Sequence, residues 1–156
     1  MISLHILGKG KVQIEHVVFD VNGTLALDGR LLDDIPDRIQ TLRKQVKVHL
    51  ITANTHGKQD TIDKALGFPA DLLTPGDEVQ QKTRFVENLN PDTVVAIGQG
   101  ANDAGMLHIA AIGIGILSKE GIAKETLMAA DLLLPNIYAA FDCLENPQRL
   151  VASLRI

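Results

Sequence analysis

Short apolar runs recur along this chain, and stretches with the spacing of amphipathic helices separate them. The runs lie at 17–19, 46–52, 94–98, 111–116 and 131–134. Runs of this length are typical of strands buried on both faces, as in a parallel sheet. Strands that alternate with helices imply right-handed crossovers, with helices on both faces of the sheet. The sequence therefore predicts an α/β fold, a doubly wound Rossmann-like parallel sheet, in a single domain over residues 1–156.

Helices and an N-terminal hairpin complete the predicted architecture. Apolar spacing predicts five helices, around 35–42, 62–66, 85–89, 104–110 and 122–129. Residues 2–6 alternate apolar and polar side chains, and Val12 and Ile14 continue the alternation after Gly8-Lys9-Gly10. This pattern predicts a β-hairpin. Because aromatic residues make up only 3% of the chain and Trp is absent, the core must consist mainly of Leu, Ile, Val and Ala.

The charge pattern argues against a nucleic-acid partner. The net charge is -4, and the 15 Lys and Arg residues are scattered, so no basic stripe is present to neutralise phosphates. No apolar stretch reaches the ~18 residues that a membrane-spanning helix needs, and the N-terminus has no pattern of a leader segment. We therefore expect no membrane partner and a cytoplasmic location. A single cysteine, Cys143, excludes an internal disulfide.

Four polar positions are the candidates for chemistry, because ligands of parallel sheets bind beyond the carboxyl ends of the strands. They are Asp20 with the turn residues Gly23 and Thr24, then Thr52, Lys82, and Asp103 in a glycine-rich turn. Each has an ordinary explanation when it is taken alone. An aspartate often opens a turn, a threonine often caps a helix, and a lysine on a helix usually faces solvent.

In this order, the four positions resemble the motif series of the haloacid dehalogenase (HAD) superfamily. Residues 21–25 (VNGTL) look like the turn after the family's aspartate nucleophile, and residues 50–54 (LITAN) look like its threonine segment. Lys82 resembles the family's lysine, and residues 98–104 (GQGANDA) resemble its GDGxND signature. The resemblance is strongest to the phosphorylation domain of P-type ATPases and its soluble relatives. It runs from about residue 15 to the end of the sequence.

The resemblance implies a reaction through a phosphoaspartate. Asp20 would attack phosphorus, while Thr52 and Lys82 would neutralise charge on the transferring group. Asn22 stands where family phosphatases have their general acid and base. The residues implied to hold phosphate are Thr52, Ala53, Asn54, Lys82 and Gly23. The residues implied for a Mg²⁺ site are Asp20, Asn22 through its backbone carbonyl, Gln99 and Asp103, with Asp103 either in the site or behind it.

Two residues depart from the family pattern. Asn22 replaces an aspartate, and because an amide cannot carry a proton, the help of ~10²–10⁴-fold that general acid–base catalysis gives is lost. P-type ATPases also lack that aspartate. Gln99 replaces a direct Mg²⁺ ligand, and a neutral amide oxygen is a poorer partner for this hard cation. We expect slow turnover or a long-lived intermediate, together with reduced metal affinity.

The loops of this chain are too short for a cap domain. About thirty residues separate Asp20 from Thr52, and about thirty separate Thr52 from Lys82. Residues 25–32 (LALDGRLL) are sufficient only for a small hairpin flap. An open site suits a macromolecular substrate, or a homo-oligomer in which a neighbour supplies the lid. The expected partner is a phosphorylated small molecule or protein. The apolar flap favours the oligomer.

Two functions therefore remain open from the sequence. The first is a Mg²⁺-dependent HAD phosphohydrolase that works slowly through phospho-Asp20, and the retained Asp20, Thr52, Lys82 and Asp103 favour it. The second is a catalytically degenerate binding or regulatory protein on the same fold, which the exchanges at 22 and 99 favour. The histidines show no ligand spacing, and only His56 follows the Thr52 loop closely enough to reach a substrate.

Overall fold

The computed structural model describes residues 1–156, which form ten strands and seven α-helices. The strands are β1 Ile2–Ile6, β2 Gly10–Ile14, β3 His16–Asp20, β4 Ala26–Leu27, β5 Arg30–Leu31, β6 Lys47–Thr52, β7 Asp71–Leu72, β8 Val94–Gly98, β9 Ile112–Ile116 and β10 Leu132–Leu134. The helices are α1 Ile35–Arg43, α2 Gln59–Leu66, α3 Glu78–Asn88, α4 Ala104–Ile109, α5 Lys124–Ala129, α6 Ile137–Glu145 and α7 Gln148–Leu154. Single 3₁₀ turns lie at Pro91–Thr93 and Ala101–Asp103.

Six of the strands form one parallel sheet in the order β10-β9-β8-β3-β6-β7. Strand β3 lies near the middle, where Phe19 pairs with Leu50 of β6 on one side and with Ile97 of β8 on the other. All five residues of β3 and all five of β8 are buried, as expected for strands covered on both faces. The predicted parallel sheet is confirmed.

Helices cover both faces of this sheet. Val17 and Phe19 point into a large apolar cluster that contains residues of α1, α2, α6 and α7, and the Phe19 ring stacks on that of Phe141 with centroids 5.4 Å apart. Val18 points the other way, into a smaller cluster formed with α3 and α4. Because successive side chains of a strand alternate between faces, this division establishes the doubly wound architecture.

The predicted N-terminal hairpin is also confirmed. Strands β1 and β2 pair antiparallel in a separate two-stranded sheet, with Ile2 opposite Ile14. Ile2, Leu4 and Ile6 are buried in the large cluster, whereas the polar residues between them are exposed. Gly8 and Gly10 of the turn both have positive φ, 89° and 87°, which is accessible to glycine without a steric penalty.

A few elements were not predicted. Strand β7 consists of two exposed residues and has no apolar pattern from which it could be predicted. Helices α6 and α7 were overlooked, although Ile137, Phe141 and Leu144 recur at helical spacing and are buried. The flap, in contrast, was expected, and it is present as the short hairpin β4–β5. Among the helices, none is both long and apolar enough to cross a membrane.

Candidate active site

The site lies at the carboxyl edge of the parallel sheet, where three adjacent strands end in polar groups. Asp20 is the last residue of β3, Thr52 is the last of β6, and the turn after β8 carries Gln99 and Asp103. Helix α3 packs beside the 3₁₀ turn at 101–103 and brings Lys82 into the same place. The sequence predicted that these groups converge, and they do.

One buried ammonium joins the two carboxylates. Lys82 Nζ donates to Asp20 Oδ1 at 2.7 Å and to Asp103 Oδ1 at 2.6 Å. The side chains of Lys82 and Asp103 are 1% and 0% exposed, so this lysine is not the solvent-facing residue that its helix alone would suggest. Thr24 Oγ1 donates to the other oxygen of Asp20 at 3.1 Å. Each carboxylate oxygen of Asp20 still keeps a lone pair for a further partner.

Burial and charge shift the pKa values of the pair that Lys82 forms with Asp20. Burial, reinforced by repulsion from Asp103, raises the pKa of Asp20 to about 7 against the opposing attraction of Lys82 and Thr24. Burial alone would lower the pKa of Lys82, but attraction by Asp20 and Asp103 outweighs it and raises that pKa. The ammonium therefore stays charged at all ordinary pH values, whereas Asp20 gains its charge near neutrality.

Asp103 is anchored by the glycine-rich turn. Its Oδ2 accepts from the backbone N–H groups of Gln99 and Gly100, both at 2.9 Å. A Cβ at position 98 would lie 2.5 Å from the Asp103 carboxyl carbon, so only glycine fits there. Since both oxygens of Asp103 are engaged and the residue is fully buried, its carboxylate orients Lys82 from behind the site.

Asn22 and Thr52 are joined directly. Asn22 Nδ2 donates to Thr52 Oγ1 at 3.0 Å, and the N–H of Asn54 donates to the same oxygen at 3.0 Å. With two donors on its oxygen, the Thr52 hydroxyl keeps its own hydrogen for another acceptor. This arrangement suits a hydroxyl that is to donate to a phosphate oxygen.

Two of the expected phosphate-binding amides are already used by their own turns. The N–H of Gly23 donates to the Ala26 carbonyl at 2.7 Å, and the N–H of Asn54 binds Thr52. Gly23 and Asn54 were expected to hold phosphate, but in this structure their N–H groups already donate within their own turns. Tight turns commonly satisfy their backbone groups internally. Ala53, in contrast, lines the open crevice beside Asp20.

The crevice has a volume of about 200 Å³, and its lining includes a carboxylate, Glu120, that the sequence reasoning missed. Its walls are formed by Asp20, Asn22, Ala53, Thr55, His56, Gln99, Asn102 and Glu120. Glu120 follows β9, and its Oε2 lies 3.3 Å from Gln99 Nε2. The strand-end argument that found Asp20 could have found Glu120 as well, since β9 ends at the same edge of the sheet.

A larger groove of about 970 Å³ adjoins the turn that follows β3. It borders Gly23 and Thr24, and it runs between the flap and the segments that follow β9 and β10. Apolar residues such as Leu27 and Ile137 alternate in its wall with charged ones. Arg30, Lys58 and Lys119 also line it, and none of them forms an ion pair within the chain.

The donor atoms of the crevice suit a hard divalent cation. Asp20 offers carboxylate oxygen, and the carbonyl oxygen of Asn22 faces the Gln99 amide. Mg²⁺ prefers such oxygen ligands and takes few from the protein. No group of three or more His, Cys, Asp and Glu side chains comes together anywhere in the chain, so a cation here would rely on carbonyl and amide oxygens too.

Sequence comparison links the chain to known proteins, although no family model matches it. It is 36% identical over 84 residues to the uncharacterised protein MJ0073 of Methanocaldococcus jannaschii, which is 51% of this chain and 90% of that protein. It is 31% identical over 119 residues to the probable copper-importing P-type ATPase A of Enterococcus hirae. That match covers 74% of this chain but only 16% of the transporter.

Solved structures share the fold. The cobalt-bound deoxy-D-mannose-octulosonate 8-phosphate phosphatase of Haemophilus influenzae superposes with a TM-score of 0.68 at 15% identity, over 88% of this chain and 90% of that one. The corresponding enzyme of Moraxella catarrhalis, in complex with magnesium, phosphate and KDO, gives 0.64 at 17% identity, over 91% and 94%. At these identities the likeness establishes the fold.

Loop lengths complete the comparison. Between Asp20 and Thr52 lie only the flap, α1 and β6, and between Thr52 and Lys82 lie only α2, β7 and the start of α3. Neither interval holds a cap domain. With this sheet order, these sequence relatives and the motif residues gathered at one edge of the sheet, the chain belongs to the haloacid dehalogenase superfamily as a capless member related in sequence to the P-type ATPases.

Proposed function

We propose that this protein is a Mg²⁺-dependent phosphohydrolase that works slowly through a phosphoaspartate on Asp20. The observation that carries the proposal is the buried bridge from Lys82 to Asp20 and Asp103, at 2.7 and 2.6 Å, beside an open crevice. A buried ammonium held between two carboxylates stabilises the fold poorly compared with apolar packing. Its position is better explained by a need to neutralise a transferring phosphoryl group.

The reaction takes two steps. An oxygen of Asp20 forms a bond to phosphorus while the bond from phosphorus to the ester oxygen breaks, and the leaving alkoxide takes a proton from water. Water then attacks the acyl phosphate, which releases inorganic phosphate and regenerates the carboxylate, and the proton that this water gives up neutralises the hydroxide formed in the first step. The sum is one water consumed for one alcohol and one phosphate formed. Thr52 donates its free hydroxyl hydrogen to a phosphoryl oxygen, and Lys82 balances the negative charge.

Asn22 makes both steps slow. Its amide is bonded to Thr52 at 3.0 Å and can neither give a proton to the leaving group nor take one from water. The missing general acid–base catalysis corresponds to a rate loss of ~10²–10⁴-fold. Substrates with good leaving groups, such as acyl and aryl phosphates, avoid the need for an acid in the first step. With these substrates the phosphoaspartate should accumulate, because its hydrolysis still lacks a base.

A divalent cation would screen the repulsion between the anionic nucleophile and the anionic phosphate. Asp20, the carbonyl of Asn22 and the Gln99 amide would hold it. Magnesium and cobalt in the two structural relatives support a divalent ion, and the all-oxygen donor set favours Mg²⁺.

The substrate is best described as a small phosphomonoester. The groove of about 970 Å³ borders Gly23 and Thr24 and has room for a leaving group of ligand size. Arg30, Lys58 and Lys119 outnumber the two carboxylates of its lining, Asp28 and Asp33, which suits a leaving group that carries an anionic substituent. Leu25 and Ala26 of the flap are buried, so the exposed apolar flap that favoured a homo-oligomer is not found at these residues.

The test is a phosphatase assay with an aryl phosphate and with acetyl phosphate, with and without Mg²⁺. We expect Mg²⁺-dependent release of phosphate by the wild type and none by Asp20→Asn. Asp92→Asn is the matched control, because it makes the same chemical change at an exposed position before β8, at the opposite edge of the sheet. Acid quenching with ³²P-acetyl phosphate should also reveal a hydroxylamine-sensitive label in the wild type.

Absence of phosphate release above background in the wild type, with Mg²⁺ and with Co²⁺, would contradict the proposal. It would favour the second function, a binding or regulatory protein on the same fold. The observation that favours this second function is the contact of Gln99 Nε2 with the carbonyl oxygen of Asn22 at 3.5 Å, since an amide donor there takes the place of a cation. Phosphate binding without turnover, measured by calorimetry, would support it.

A further inference from the structure

We propose that Glu120 supplies the carboxylate that Gln99 lacks and completes the divalent cation site with Asp20 and the carbonyl oxygen of Asn22. This inference rests on the metal dependence of the proposed function and deepens it. It assigns a ligand outside the glycine-rich turn, 21 residues further along the chain than Gln99.

The first observation is the environment of the Gln99 amide. Its Nε2 lies 3.3 Å from Glu120 Oε2 and 3.5 Å from the Asn22 carbonyl oxygen. Two oxygen atoms from separate parts of the fold thus face one weakly positive –NH₂ group. Both contacts are long for hydrogen bonds, so little hydrogen-bond energy is lost when a cation replaces the amide –NH₂ group between the two oxygens. Asp20 and Asn22 line the same crevice as Glu120, so the three residues bring oxygen ligands to one place.

The second observation is that Glu120 has no competing role. Of the side chains that line the crevice, only Asp20 and Glu120 are carboxylates. Asp103 is fully buried, and its two oxygens are held by Lys82 and by two backbone N–H groups. Glu120 is exposed, and the only hydrogen bond of its carboxylate is the one with Gln99. It is therefore the one carboxylate that can be recruited without breaking a buried hydrogen bond.

The third observation is that the backbone places Glu120 and leaves room for it. Ser118 Oγ accepts from the Glu120 N–H at 3.1 Å, and the Ala123 N–H donates to the Gln99 carbonyl at 2.9 Å, which ties the two loops together. A Cβ at Gly23 would lie 2.2 Å from Gln99 Nε2 and 2.4 Å from Glu120 Oε2, so a side chain there would displace both groups. The glycine of the turn after β3 thus leaves the space that this carboxylate enters.

The charge balance follows from the chemistry of the ligands. With Asp20 and Glu120 ionised, the ligand set carries two negative charges, which equals the charge of one divalent cation. Without Glu120 only one carboxylate would remain, and the metal affinity would fall. We expect a loss of about 10- to 100-fold, the range found even for residues that only support metal ligands.

The test measures metal binding directly, so that it does not depend on turnover. Mn²⁺ serves as the probe, because it takes the same oxygen ligands and its free form is counted by electron paramagnetic resonance. We expect Glu120→Gln to bind Mn²⁺ about 10- to 100-fold more weakly than the wild type. Glu125→Gln is the control, since Glu125 is an exposed glutamate on α5 that does not line the crevice, and it should bind as the wild type does.

A second variant tests compensation. Gln99→Asp should restore Mn²⁺ affinity when it is combined with Glu120→Gln, because the turn after β8 then supplies the carboxylate that the loop after β9 has lost. Binding by Glu120→Gln within twofold of the wild type would overturn the inference, as would a wild type that binds no Mn²⁺. If the protein releases phosphate but the Glu120→Gln change does not alter Mn²⁺ affinity, the proposed function holds and the role of Glu120 is wrong. If Mn²⁺ binding depends on Glu120 but no phosphate is released, the metal ligand is supported and the proposed function is wrong.

Discussion

Removal of the Lys82 ammonium should destabilise the protein strongly, and more so at high pH. Lys82→Met keeps the length of the side chain but leaves two carboxylates facing each other, both formerly bonded to Nζ within 2.7 Å. Breaking a buried ion pair by removing one partner costs about 3–5 kcal/mol, because the remaining charge is uncompensated. For a chain of this size, that corresponds to a fall in Tm of roughly 6–20 °C.

The pH dependence follows from the direction of the pKa shift at Asp20. Burial and Asp103 already raise this pKa to about 7 in the folded state, and losing Lys82 removes the main opposing influence. A carboxyl group whose folded pKa is raised loses stability as pH rises, because the folded state must release a proton that the unfolded state has already lost. The difference between variant and wild type should therefore grow from pH 5.5 to pH 8.

Urea unfolding at these two pH values, in EDTA so that no cation substitutes for the ammonium, measures this difference. Arg84→Met is the control on the same helix, because Arg84 is exposed and bonds only to Gln80. Its free energy of unfolding should stay within about 0.5 kcal/mol of the wild type. A loss under 1 kcal/mol for Lys82→Met at pH 8, or a larger loss at pH 5.5, would refute the reasoning.

Three further outcomes are expected. Gly113→Ala places a Cβ 2.4 Å from the Leu107 carbonyl oxygen, so it should lower the free energy of unfolding by about 1–3 kcal/mol in a denaturant titration. Burial lowers the pKa values of His16 and His49, so the unfolded state takes up protons at a higher pH than the folded state does. The free energy of unfolding should therefore fall as the pH drops through about 6.5. In paired urea titrations, His49→Gln should show a weaker pH dependence than the wild type. Asn22→Asp should raise the turnover of alkyl phosphates, whose leaving groups need an acid, and an unchanged rate would count against a missing proton donor as the bottleneck.

Much of the sheet was predictable because buried parallel strands impose a strong local pattern. The run at 94–98 has no polar residue, and it forms β8 with the predicted bounds. Strand β7, by contrast, is fixed by its pairing with β6 and has no local signal. Helix α6 did have a signal, since Ile137 and Phe141 lie four residues apart.

The candidate site was predictable as far as strand ends dictate position. The edge where Asp20 and Asp103 meet follows from topology, but the ammonium that binds both depends on the packing of α3. The end of β9 places Glu120 near this edge, but its contact with Gln99 and the occupied N–H of Gly23 depend on the conformation of loops, where no periodicity constrains the chain. Contacts of this kind are set by tertiary structure and leave no trace in residue spacing.

The hydrogen bond between Asn22 and Thr52 can run in only one direction, since the amide nitrogen donates and the hydroxyl oxygen accepts. An aspartate at position 22 reverses this polarity, because a carboxylate only accepts and Thr52 must then turn its single hydrogen inward. A gain in proton transfer would thus be accompanied by weaker capture of phosphate, seen as a higher KM beside a higher kcat. In the proposed reaction, the asparagine would keep the threonine aimed outward, which favours holding a phosphoryl group over releasing it.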